Sequence, residues 1–208
     1  AAAVAPEGRA NPRQLVIDDE HADALAKIVD LTRAAHRAEW GNADDLLIGL
    51  QLTHSGRYSV PRPILAQHDP QLDPRTVIDK STGASARPDT PLISDDELDR
   101  LQDRYAAAAR VAFRIGFDFV DLKQCHRYLL NELLSAKTRP GKYGGSFENR
   151  TRFVRDVVGR LKAENPAGII ATRLNVFDGI PFQRNGRDAP GVPGRFTTPV
   201  RSAGGASE

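Results

Sequence analysis

The sequence predicts an α/β fold built on parallel strands. Two observations carry that prediction. Short apolar runs of strand length alternate with longer stretches of helical periodicity, and each stretch is long enough to cross over between parallel neighbours. Each strand-like run also leads into a cluster of polar residues at its C-terminal end, the end at which parallel α/β folds collect ligands.

The elements follow in order. Ala22, Leu25, Ile28, Val29, Thr32 and Ala35 recur at helical spacing and predict a helix over about residues 19–38, with Asp18 or Asp19 as its N-cap. Leu46–Leu52 (LLIGLQL) is a continuous apolar run, the pattern of a strand buried on both faces. A Pro-, Asp- and Ser-rich stretch then runs from Tyr58 to about Ile93, long enough to suggest a functional or partly disordered loop. Ser94-Asp95-Asp96-Glu97 is a capping box, and Leu98, Leu101, Tyr105 and Ala108 continue it as one apolar helical face, which Gly116 ends. Phe117–Leu122 (FDFVDL) reads as the next strand. A helix with Leu129, Leu130, Leu133 and Leu134 follows Tyr128, and a further helix opens at Gly144-Gly145-Ser146 with Phe153, Val154, Val157, Val158 and Leu161 on its core face. Gly168–Leu174 (GIIATRL) is the last strand. From about Phe182 apolar periodicity is lost, which divides the chain into an α/β body over 1–182 and a Gly/Pro/Arg-rich tail over 183–208 that reads as disordered.

Composition narrows the function. Among 208 residues, 29 Lys and Arg face 27 Asp and Glu, so the net charge of +2 gives no reason to expect a nucleic-acid or acidic-membrane partner. One cysteine excludes an internal disulfide framework and any metal centre built from several thiolates of this chain. No apolar run approaches the roughly 18 residues that cross a bilayer. The absence of methionine indicates a removed leader or a piece of something longer, and the motif order below favours the piece.

The polar clusters hold the candidate chemistry. Gln51, His54, Ser55 and Arg57 follow the first strand, Lys123, Gln124, His126 and Tyr128 the second, and Arg173 and Asn175 the third. Lys123 and His126 offer N–H donors that could hold and polarise a carbonyl or nitro oxygen, and Tyr128 offers a phenol O–H able to deliver a proton. That set suits reduction or isomerisation beside an activating group. A surface lysine, a capping histidine and a core tyrosine is the plainer alternative, and the residues alone leave it open. Cys125 reads as an inert buried thiol, and His21, His36 and His68 as surface residues; no residue is assigned to a metal.

Three ordered motifs resemble a known family. The stretch from Gly116 to Asn131 (GFDFVDLKQCHRYLLN) is similar to the fourth barrel strand of the old yellow enzyme, or NADH:flavin oxidoreductase, family (2,4-dienoyl-CoA reductase-like), which comprises FMN-dependent ene-reductases and their relatives. Tyr143–Phe153 resembles that family's YGGSxENRxRF motif, and Gln51–Arg57 its QLxHxGR segment. The resemblance covers roughly residues 8 to 182 and implies a partial TIM barrel with about three of eight strands, from the second helix to the fifth strand. It implies that Gln51 hydrogen-bonds the pyrimidine edge of FMN and that Arg173 lies near flavin N1 and O2. It places Lys123 and His126 at the pair that grips the substrate's activating oxygen and Tyr128 at the proton donor. In the family mechanism NAD(P)H reduces FMN, hydride passes to the β-carbon of an activated alkene, and the tyrosine protonates the α-carbon.

This sequence departs from the family at two positions, with Lys123 where the family usually has His and Arg127 where it has Gly. A charged, longer donor at 123 points toward an acidic or oxidised substrate. The family's first two strands and everything after its fifth have no counterpart in this reading, the FMN phosphate loops included. Cysteines of an iron–sulfur cluster would also fall beyond this chain's end, so that cofactor is left open in a longer parent but is not ligated here. The expectation is thus a cytoplasmic FMN-dependent, NAD(P)H-driven reductase of a small molecule with an activated C=C. The competing reading is a non-catalytic barrel fragment that binds no flavin and self-associates through its open sheet edges.

Overall fold

A computed structural model describes residues 1–175 together with two short strands at 182–183 and 192–193. Within residues 1–175 four strands form one parallel sheet: β1 (Ala2–Ala3), β2 (Gly49–Thr53), β5 (Phe119–Gln124) and β6 (Ile169–Leu174), in that spatial order. The crossovers are α1 (Ala22–Trp40) from β1 to β2, α2 (Asp95–Arg114) from β2 to β5, and α3 (Leu129–Leu134) with α4 (Phe147–Glu164) from β5 to β6. A small antiparallel hairpin, β3 (Val77–Asp79) and β4 (Ala84–Ser85), interrupts the long loop before α2. Phe182–Gln183 and Val192–Pro193 pair with each other in a separate unit; the expectation of a disordered tail falls outside the described residues.

Local signals explain most element boundaries. The Ser94 capping box forms as expected: its hydroxyl accepts from Glu97 N, and the Glu97 carboxylate accepts from Ser94 N. Ser146 caps α4 by accepting from Asn149 N. At α1 the expectation is corrected. The helix begins at Ala22 after His21, and Asp18 accepts from His21 N without capping the helix itself.

The sheet also corrects two strand expectations. The opening alanine run is a fourth strand: Ala2 pairs with Leu52 and Ala3 with Thr53, both alanines fully buried. Alanine has no strand pattern to show, so periodicity could not find it. LLIGLQL, moreover, is buried on one face. Leu50 and Leu52 pack among the helices, while Gly49 is exposed and Leu47 precedes the strand in open solvent.

Strict alternation gives the sheet its two sides. Leu50, Leu52, Val120 and Leu122 join Leu98, Leu101, Tyr105, Phe153 and Val157 in a core between the sheet and its helices. The opposite face carries Gly49, Gln51 and Thr53 on β2, Phe119, Asp121 and Lys123 on β5, and Ile169, Ala171 and Arg173 on β6. Gly49 has no room for a side chain there: a Cβ would stand 2.1 Å from the Phe119 ring, which lies across it.

The long loop is a built structure held by buried charge. Arg57, 3% exposed, donates to Asp73 at 2.6 Å, to Thr76 at 3.0 Å, to the Gln67 carbonyl at 2.9 Å and to Glu132 on α3. Arg139 reaches the Ala66 and Ile93 carbonyls and Asp95, so it ties both ends of the loop to α2. His68, expected at the surface, is half-buried and paired with Asp73. Burial pushes the Glu132 carboxyl up while the guanidinium beside it pulls the other way.

The two faces should respond differently to truncation. Leu122→Ala should cost about 2–5 kcal/mol in urea denaturation. Ile169→Ala, at a side chain already 51% exposed, should cost less than about 1 kcal/mol. Equal losses would contradict the assignment of faces.

Candidate active site

The C-terminal half of the uncovered sheet face brings the predicted residues together. Gln51 and Asp121 are register partners, and the Gln51 amide donates to Asp121 Oδ2 at 2.7 Å. One position further on, Lys123 and Arg173 are register partners, which sets two cations side by side. Thr53 Oγ1 and Asp121 Oδ1 are buried and accept or donate no hydrogen bond among the described residues. Buried polar atoms of this kind normally have partners. The face therefore presents an amide, a carboxylate, a hydroxyl and two cations, a set able to hold a flat polar ring at its edge.

The remaining two residues come from the turn after β5. His126 and Arg127 both adopt the left-handed region, at φ 60° and 55°. This conformation costs a side-chain-bearing residue on the order of 1 kcal/mol and suits glycine. It gives a physical reason for the glycine usual in the family at position 127. Arg127 is held there by its backbone N–H donating to Asn131 Oδ1 at 2.7 Å and by an ion pair with Asp69 at 3.2 Å. The double left-handed turn reverses the chain and delivers Tyr128 back toward β5. The Lys123 ammonium lies 3.8 Å from the centre of the Tyr128 ring, and the His126 ring stands edge-on to it at 6.4 Å. Tyr58 packs on the other ring contact at 5.7 Å. All five residues singled out in the sequence thus belong to β2, β5, β6 and one turn, at one end of one sheet face.

Electrostatics are lopsided in this cluster. Burial lowers the Lys123 pKa, with neighbouring Arg173 adding to the effect and Cys125 and Asp121 opposing it. His126 is also lowered, by desolvation and then by Lys123 and Arg173. Burial is the first cause of both shifts; neighbouring cations add to it at His126, while at Lys123 anionic neighbours oppose it.

His54 and Arg57, grouped with Gln51 by position in the sequence, serve elsewhere. Arg57 is the loop anchor described above. His54 is 2% exposed, its Nδ1 accepts from Gly56 N at 3.2 Å, and its ring lies against Gly8, where a Cβ would come within 2.6 Å. Asp121 and Thr53 are site residues that pattern reading missed. The alternation of FDFVDL, with Asp121 two positions before Lys123, was the available signal. Among the described residues no cluster of three or more His, Cys, Asp or Glu is placed to hold a metal ion.

The family model for NADH:flavin oxidoreductase / NADH oxidase matches residues 1–192. The chain belongs to that family. An NADPH dehydrogenase of Geobacillus sp. (strain WCH70) is 31% identical over 182 residues, covering 86% of this chain and 47% of the relative. The NADPH dehydrogenase of Bacillus subtilis (strain 168) is 30% identical over 166 residues, 78% of this chain and 43% of the relative. This member of the NADH:flavin oxidoreductase family therefore spans about half the length of the curated relatives it matches. In fold it resembles Old Yellow Enzyme from Pichia sp. AKU4542, with TM-score 0.65 and 24% identity over 84% of this chain and 45% of that one. Morphinone reductase gives the same TM-score and identity, with 84% and 49% covered. These neighbours place the four-stranded parallel sheet as part of a TIM barrel, as the motifs implied. No helix of the described residues is long and apolar enough to cross a membrane.

Burial holds the pKa of His54 down to about 4. The unfolded chain takes up this proton near pH 6.5, so stability is undiminished above that pH and falls as the pH drops toward about 4. The loss from this residue should be on the order of 3 kcal/mol. The difference in unfolding free energy between the wild type and His54→Gln, followed from pH 7 to pH 4, should shrink accordingly; a pH-independent difference would contradict it.

Proposed function

We propose that this chain contributes the substrate-side half of an FMN-dependent oxidoreductase that uses NAD(P)H to reduce a small molecule with an activated C=C. The observation that carries this reading is the convergence of Gln51, Lys123, Arg173, His126 and Tyr128 on one uncovered face of a family barrel sheet. The buried, unpartnered Thr53 Oγ1 and Asp121 Oδ1 support a polar ring against that face.

A bound flavin supplies hydride relay, in from NAD(P)H and out to the β-carbon of the alkene. The chain's own residues do the rest. The Gln51 amide, oriented by Asp121, meets the polar edge of the ring. Arg173 sets a positive charge where negative charge accumulates on reduction, a stabilisation that needs no reorganisation during the reaction. Lys123 and His126 donate to the oxygen that activates the alkene and draw electrons from its β-carbon. Tyr128 O–H then delivers a proton to the α-carbon, its ring steadied by contacts with the Lys123 ammonium and with Tyr58.

A protein that turns yellow on reconstitution with FMN, with a flavin spectrum that bleaches on addition of NADPH or NADH, would support this reading. A colourless, self-associated product would favour the non-catalytic alternative. In the flavin-loaded protein, Tyr128→Phe should slow reduction of an enone such as 2-cyclohexenone by about 100-fold while leaving the reduction of flavin by NAD(P)H unchanged. Wild-type rates in both half-reactions would remove Tyr128 from the proton-donor role.

A further inference from the structure

We infer that the substrate carries a carboxylate, and that Lys123 is the residue that binds it. This rests on the proposed function, which places Lys123 against the substrate. It goes further by naming the group that the lysine recognises.

The charges around the cluster can be followed one by one. β5 brings Asp121 and Lys123 to the face, β6 brings Arg173, and the turn brings His126 and Arg127. Asp121 has one oxygen on the Gln51 amide and the other without a hydrogen-bond partner, Cys125 is near enough to act on Lys123, and Arg127 is paired with Asp69. Among the described residues, neither Lys123 nor Arg173 has a carboxylate within ion-pairing distance. Lys123 is nonetheless only 8% exposed, so most of its side chain is out of water. A largely buried cation without an ion-pair partner is costly, and the face of the Tyr128 ring offsets only part of that. The unfilled partner is an anion.

Neutral carbonyls do not meet this need. An imidazole N–H in the same place donates to a neutral oxygen with no charge to compensate, whereas a lysine gains fully only from a negative one. Arg173 is already occupied in the proposed function, at the ring edge where the reduced cofactor is negative. That leaves a single compact charge on a flexible stem facing the substrate. One compact cation is balanced by one negative charge, which a monoanionic carboxylate supplies. The lysine's position above the Tyr128 ring then sets the carboxylate beside the proton donor, so that the conjugated C=C extends from it across the face.

The test compares an acid with its neutral ester. Flavin-loaded protein is titrated at pH 7 and low salt with cinnamate and with methyl cinnamate, and binding is read from the perturbation of the flavin spectrum. The same pair is titrated calorimetrically against protein without flavin. Cinnamate should bind about tenfold or more tightly than the ester, and the preference should shrink as salt is raised. Lys123→Met should bring the ratio near one, Lys123→Arg should keep it, and Lys123→His should shift it toward the ester. An ester that binds as well as the acid in the wild type, or a preference that survives Lys123→Met, overturns the inference. If the protein takes up no flavin, the cofactor reading fails instead, and the calorimetric comparison still decides the carboxylate.

Discussion

The register of β5 between β2 and β6 is the constraint on which the other features depend. Four residue pairs join β5 to β2 and six join it to β6, all parallel and without a bulge. In that register Val120 and Leu122 meet the helices, and Asp121 and Lys123 meet the open face. A slip of one residue would exchange the two sets, burying a carboxylate and an ammonium among Leu98, Leu101 and Tyr105 and turning the apolar residues outward. The cost of burying those charges unpaired far exceeds that of any single contact in the sheet. One hydrophobic alternation therefore maintains the core and sets the spacing of the reactive groups.

The molecule treats its charges in two opposite ways. Arg57 and Arg139 are buried as deeply as core leucines, and all their donors but Arg139 Nε meet acceptors that include carboxylates and main-chain carbonyls of the loop and of α2 or α3. Removing one partner from such a network leaves a stranded charge, so these arginines act as scaffold rather than chemistry. Among the described residues, Lys123 and Arg173 at the end of the sheet have no carboxylate within ion-pairing distance. Buried polar atoms without partners also occur at Ser55, Ser59, Tyr105 and Arg139, so the pairing of two cations in register is what distinguishes this end of the sheet.

Much of this was legible before the structure, and the failures have physical causes. Helices announced themselves through Ser94, Ser146 and apolar periodicity, because caps and helix faces are local properties. The site residues were legible because they lie in contiguous motifs at strand ends. The first strand was not, since Ala2 and Ala3 are strand only by virtue of pairing with Leu52 and Thr53, a long-range fact. Nor was the role of Arg57, whose partners stand 10 to 75 residues away in sequence. Asp121 was hidden in plain view within FDFVDL, read as part of an apolar run although alternation places it on the other side.

The pairing of Arg127 with Asp69 joins two parts of the molecule that differ in mechanical character. On one side is a turn wound tightly enough to hold two residues in the left-handed region; on the other is a long loop anchored through Arg57 and Arg139. A glycine at 127 would relieve the left-handed strain and remove this ion pair, while the loop would stay tied to α3 through Arg57 and Glu132. With arginine there, the turn that carries His126 and leads into Tyr128 is joined directly to Asp69 of the loop. Residue 127 thus makes the placement of that turn depend on the loop as well as on β5.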